Sequence, residues 1–312
     1  MPNSDIALLG HIVTTLTYFG IVLYIYFRQR SLERTTRNST SLFYVILGLS
    51  LIFAVVNLFF TLHEIFSHHE SQLTADLDWI AQFFGIFVLG VLLLVLSTSK
   101  IVIRPKYIAG RVLALGAHPD DIEVAVGGSL AKMRDAGYTI HEMVMTRGEK
   151  GGNITSRPGE ARNGAEFLGL EGLQVLDFAD TDLAANVTPL VNVIEEAIAK
   201  IKPDIIFTHS RNDFHQDHRA VYEATMQATR DARITILCYE SPSATQDFYP
   251  TYFIDIGKYV DVKLRAIREH WDQRKKPYMK PDVIRGKLAF RGSQAKVNYA
   301  EGFEVARMVS AI

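Results

Sequence analysis

The sequence predicts an α/β sandwich with a mainly parallel sheet, preceded by three transmembrane α-helices. Three observations carry that prediction. The first hundred or so of the 312 residues are dominated by long apolar runs without Lys or Arg. Beyond residue 110, short apolar runs alternate with segments of helical period, the pattern of repeated βαβ units. Finally, two clusters of His and Asp fall just past the ends of such runs, where open α/β sheets place their ligands.

In chain order, the apolar runs at about Ile6–Phe27, Leu42–Phe66 and Trp79–Leu96 each suffice for a bilayer span, which takes about 20 residues. Their apolar residues lie all round the helix instead of in one stripe. The loop after the first carries Arg28, Arg30, Arg34 and Arg37, the loop after the second has no Lys or Arg, and Lys100, Arg104 and Lys106 follow the third. Positive residues stay on the cytoplasmic side, so the expectation is an outside N-terminus and a cytoplasmic C-terminal domain in a multi-pass protein, by default of a prokaryotic plasma membrane. The domains expected are 1–106 in the membrane and 107–312 beyond it.

VLALGA at 112–117 reads as a buried parallel strand, 120–137 as a helix and TIHEMVMT at 139–146 as the next strand. IEEAIAKIKP and DIIFTHS, then HRAVYEATMQATRDA and ITILCYE, repeat the helix–strand order. The single Cys238 reads as a small core residue of the last strand. With 33 Lys+Arg against 34 Asp+Glu and no basic patch with interleaved aromatics, nucleic-acid binding has no support.

His118 and Asp121, as H-x-x-D at a strand end, can converge on one metal ion, with Asp120 beside them as a free base. Adjacent acids after a strand also suit a phosphoacceptor, and Asp120 could simply cap the helix. NDFHQDHRAV at 212–221 supplies a further nitrogen ligand from another strand end. GEKGGNITSRPG at 148–159 reads as a mobile loop over the pocket, and KLAFRGSQAKVNYAEGF at 287–303 as part of its rim.

AHPDDIEVAVGG at 117–128 and HQDH at 215–218 make the sequence resemble the PIG-L/LmbE-like N-acetylglucosaminyl deacetylase family. TRGEKGG at 146–152, Arg157 and Glu160 leading to LG at 168–169, PDIIFTH at 203–209, His270 and Gln273, and AEGF at 300–303 agree with it. The likeness covers roughly residues 110 to 305 and implies a Rossmann-like fold; the three-span module is no part of it. The resemblance implies His118, Asp121 and His218 as ligands of Zn2+, with other divalent transition metals equally acceptable to that donor set. It implies Asp120 as general base on the metal-bound water, His215, protonated, as the group facing the oxyanion, and Asp217 as the residue orienting it. Arg157 and Asp180 would bind the sugar; Asp182 is the alternative to Asp180, and His209 is expected beside the ligands instead of among them.

The expected function is removal of the N-acetyl group from an N-acetylated amino sugar of the GlcNAc type. Three membrane helices point to a lipid-linked substrate met at the cytoplasmic face, with membrane lipid and a glycosyltransferase as conceivable partners. Two other readings stay open: a deacetylase of soluble GlcNAc conjugates merely anchored to the membrane, and a non-catalytic sensor or scaffold that binds an acetylated sugar.

Overall fold

The computed structural model describes residues 109–309, the stretch 47–56 and positions 12, 16, 19, 20, 23, 58, 59 and 62. The chain divides into two compact units, Met1–Val102 and Ile103–Ile312. In the first, residues 47–56 are helical, with Phe53 and Ala54 buried and Leu51, Ile52 and Val55 exposed. Apart from this piece and the isolated positions, the three expected spans lie outside the described residues. Among the described residues no helix is long and apolar enough to cross a membrane.

The second unit opens with β1 (Arg111–Gly116), buried from Val112 onward as a central parallel strand must be. It continues through α1 (Asp121–Asp135), β2 (Thr139–Thr146), α2 (Arg157–Leu168), β3 (Gly172–Phe178) and α3 (Val187–Ile201). Then come β4 (Ile205–Thr208), α4 (Gln216–Ala228), β5 (Thr235–Tyr239), β6 (Tyr252–Asp255), α5 (Val260–Arg268), α6 (Pro281–Ala295) and β7 (Ala300–Arg307). The strand order is β3-β2-β1-β4-β5-β7-β6. Neighbours from β3 to β5 are parallel, while β7 runs antiparallel to β5, and β6 to β7. The sheet is therefore mixed, with the anticipated parallel part extended by an antiparallel pair. Cys238 is buried in β5, and that burial pushes its thiol up to about 12.

Period-2 alternation along β1 sorts the core into two layers. Leu113 and Leu115 face Leu190 and Ile194 of α3 and Val221 of α4. Val112 and Ala114 face Ile122, Val126 and Leu130 of α1, with Phe207 and Phe303 from β4 and β7. Outside α1, α5 and α6 add another layer built on Val260, Leu264, Ile267 and Leu288.

One clamp fixes α1, the helix that begins at Asp121. Glu301 of β7 accepts hydrogen bonds from the Gly128 and Ser129 amides at 3.0 and 2.7 Å. It also pairs with the buried Lys263 ammonium at 2.6 Å. A Cβ at Gly128 would lie 2.6 Å from Ile256 Cδ1 and 3.0 Å from Glu301 Oε1, so the second glycine of AVGG is what lets the strand approach the helix.

Candidate active site

β1 and β4 are adjacent, and the chain leaves them in opposite directions across the sheet, β1 toward β2 and β4 toward β5. A crevice opens at their carboxyl ends, as at a topological switch point. From β1 the turn Ala117–Asp120 enters α1, and the Asp121 carboxylate folds back to accept the His118 amide at 2.7 Å. From β4, His209 leads into the loop that ends at His215, the N-cap of α4.

Across the crevice three side chains converge. His118 Nδ1 lies 3.3 Å from Asp121 Oδ2, His218 Nε2 lies 3.5 Å from Asp121 Oδ1, and the two imidazole nitrogens are 3.4 Å apart. Ligands about 2.1 Å from a tetrahedral zinc ion stand about 3.4 Å from one another, so these donors fit such an ion. All three residues are buried.

Each imidazole is aimed by a carboxylate on its other nitrogen, which leaves the facing nitrogen for a metal. His218 Nδ1 meets Asp213 Oδ2 at 2.9 Å, and Ser243 donates to the other oxygen of Asp213 at 2.6 Å. His118 Nε2 lies 3.2 Å from Asp180 and 3.4 Å from Asp217. Burial would raise the Asp121 carboxyl, but the His218, His118 and His209 imidazoles outweigh it and hold it well below the usual range. Burial likewise opposes charge on His218, yet Asp121 and Asp213 raise it to about 9, and His118 is raised in the same way. Two imidazoles that favour protons around one carboxylate form a site where a divalent cation binds by displacing those protons.

Asp120 is the N-cap of α1, but its side chain makes no capping bond. Instead Arg157 donates to its Oδ1 at 2.6 Å and the Tyr278 hydroxyl to its Oδ2 at 3.0 Å. Burial and the nearby Asp120 push the Tyr278 phenol far above its ordinary range, so it stays a donor. The second guanidinium arm of Arg157 donates to Gly148 O at 2.6 Å. Gly148 has φ 68°, and a Cβ there would sit 2.0 Å from Arg157 Nη1.

The structure thus brings His118, Asp120, Asp121, His215, His218, Arg157 and Asp180 around one cleft of about 280 Å³. Arg157, Asp180 and Asp217 make contacts that the sequence expectation does not name. Arg157, expected on the sugar, grips Asp120. Asp180, also expected on the sugar, braces His118 and accepts the Lys150 amide at 2.8 Å. Asp217, expected to orient His215, accepts the Thr181 and Leu183 amides at 2.7 and 3.2 Å and faces His118. His215 is held by the Asp217 backbone: its Nδ1 accepts that amide at 3.3 Å, which places the ring proton on Nε2. Burial, with the charges of His218 and His118, lowers the His215 pKa.

His209 stacks on His218 at 3.9 Å, and its Nε2 accepts the Ala117 amide at 3.1 Å. Burial pushes its pKa down to about 4. It lies against the donors, 3.2 Å from Asp121 Oδ2, and with Asp213 and His218 forms a second group of potential metal ligands. The surface Asp182 instead holds the Asn186 amide.

Asp213 and Tyr278 were not singled out by sequence. An acid five residues before a ligand histidine, in a loop leaving a strand, is the signal that could have found Asp213. Tyr278 has no comparable local signal. Asp213→Asn is expected to weaken metal affinity about 10–100-fold while keeping turnover per bound metal. Titration with a competing chelator measures the first and acetate release at saturating metal the second.

The model of the family described as "GlcNAc-PI de-N-acetylase" (PIG-L) matches residues 113–229. An uncharacterized deacetylase, YaiS of Escherichia coli strain K12, is 39% identical over 166 residues, covering 51% of this chain and 89% of that protein. Diacetylchitobiose deacetylase of Thermococcus kodakarensis is 28% identical over 223 residues, covering 62% and 81%. Among solved structures, the conserved protein TT1542 of Thermus thermophilus superposes with a TM-score of 0.57 at 25% identity, covering 64% of this chain and 96% of that one. With the donor triangle, the braced Asp120 and these relatives together, the chain belongs to the PIG-L/LmbE-like N-acetylglucosaminyl deacetylase family.

Proposed function

We propose that this protein is a zinc-dependent hydrolase that removes the acetyl group from an N-acetylated amino sugar. The observation that carries the reading is the His118–Asp121–His218 triangle with Asp120 lining the same cleft. A divalent ion held by those donors would supply Lewis acidity, polarising the acetamide carbonyl and making water acidic near neutral pH.

The side chains of the cleft supply the remaining needs of amide hydrolysis. Each Asp120 oxygen accepts one bond, from Arg157 or Tyr278, and a carboxylate oxygen has two lone pairs. Asp120 therefore keeps the capacity to take a proton from the attacking water. Water oxygen bonds to the carbonyl carbon, Asp120 passes the proton to nitrogen, and the C–N bond breaks to give acetate and the free amine. His215, donating through Nε2, faces the oxygen on which negative charge develops. A binding module would have no use for a base fixed beside three metal donors, which favours catalysis over the sensor reading.

The substrate proposed is lipid-linked and of the GlcNAc type, met at the cytoplasmic face of a membrane that residues 1–106 span with the N-terminus outside. The three apolar runs and the arginines between the first two support this part. The test is acetate release by the detergent-purified full-length protein from lipid-linked and from water-soluble N-acetylglucosamine conjugates, each with and without a chelator. Turnover that is fastest on lipid-linked conjugates and abolished by the chelator is expected. Equal turnover of soluble conjugates would reduce the N-terminal part to an anchor, and no acetate from either would remove the deacetylase reading.

A further inference from the structure

A second cavity of about 220 Å³ adjoins the metal cleft, and the two share Val124, Pro242 and Tyr278 as walls. It lies past the end of β5, between α1 and α6, and part of its lining comes from the stretch 287–303, which the sequence assigns to the rim of the metal cleft but which lines this second cavity instead. Tyr278, whose hydroxyl holds Asp120, stands at the boundary, so a ligand bridging the two spaces passes the reacting centre.

The charges lining this cavity can be paired off. Lys263 and Glu301 form a buried pair at 2.6 Å, and Glu301 is further occupied by two amides of α1. Arg291 grips Glu240 through both arms of its fork, at 2.8 and 2.9 Å. That leaves Lys287. Its ammonium donates to two neutral carbonyls, Glu240 O at 2.8 Å and Ser241 O at 3.3 Å. The nearest carboxylate, that of Glu240, stands 3.8 Å away and is already committed to Arg291. Lys287 is partly buried, which lowers its pKa to about 8 against the pull of Glu240, with Lys263 and Arg291 adding to the depression. Val283, Ile284 and Leu288 complete the wall, so an anion entering here meets a surplus cation on an apolar background.

We propose that this cavity is a subsite for an anionic group, phosphate or carboxylate, attached to the amino sugar, with Lys287 as the residue that recognises it. The proposal rests on the deacetylase reading of the adjoining cleft and names the class of substrate that cleft would take.

The full-length protein in detergent is assayed for acetate release from N-acetylglucosamine 1-phosphate, from a carboxylate-bearing N-acetylglucosaminide and from the neutral methyl N-acetylglucosaminide. The expected result is a kcat/KM for at least one anionic conjugate about tenfold above the neutral one, the scale of one charge-assisted hydrogen bond. Lys287→Gln should collapse that ratio through KM, and Lys287→Arg should retain it. Preference for the phosphate alone, the carboxylate alone or both sustains the proposal and identifies the anion. A ratio near one in the parent, or an equal loss on all three conjugates in Lys287→Gln, overturns it. If none of these soluble conjugates releases acetate, the lipid-linked conjugates decide the deacetylase reading, and equilibrium binding decides the subsite separately. Tighter binding of N-acetylglucosamine 1-phosphate than of N-acetylglucosamine, lost in Lys287→Gln, supports it, and equal binding overturns it.

Discussion

Asp120→Asn is expected to lower kcat by about 10²–10⁴-fold, the usual contribution of a positioned general base. Metal content should stay at the parental level, because Asp120 is not one of the three converging donors. The amide has the shape of the carboxylate but cannot take a proton. It also presents an NH2 group to one of two donors, Arg157 or Tyr278, that now meet oxygen. Arg157 is buried, and removing one partner of a buried pair costs about 3–5 kcal/mol. A lower melting temperature should therefore accompany the lost turnover. Acetate release, metal analysis and a thermal melt separate these effects, and turnover near the parental rate would exclude Asp120 as the base.

His218→Ala should have a different signature. It removes one of three donors and takes the imidazole from the buried Asp213 carboxylate, which keeps the Ser241 and Ser243 hydroxyls and the His215 amide as donors. Stoichiometric metal should be lost and acetate release should fall to background, with a stability cost of about 1–3 kcal/mol. Full metal occupancy in a folded variant would mean that the donor set lies elsewhere in the cleft. Between them, the two substitutions distinguish loss of the base from loss of the metal.

The parts of this protein that are legible in sequence are those set by local pattern. VLALGA, TIHEMVMT, DIIFTHS and ITILCYE each combine an apolar run with a turn or helix signal, and they form β1, β2, β4 and β5. The two His/Asp clusters follow from strand ends because the parallel sheet aligns those ends, and the family resemblance picks His118, Asp121 and His218 out of them. The antiparallel pair β6 and β7 was not anticipated, since its register depends on partners far apart in the chain. Side-chain roles within the cleft were the least legible. Arg157 reads as a sugar ligand until the bend at Gly148 brings its guanidinium onto Asp120. The resemblance makes Asp217 the partner of His215, and in the structure α4 turns its carboxylate toward the amides of Thr181 and Leu183. Such assignments depend on where backbone N–H groups need acceptors, and only the assembled fold determines that.

The clamp on α1 also has a temporal meaning. As the chain leaves a ribosome, every donor of the triangle has emerged once His218 is out. Tyr278, which supplies the second bond to Asp120, and Glu301, which holds α1 against β7, come later. In chain order the donors of the triangle thus emerge before the residues that complete the setting of Asp120.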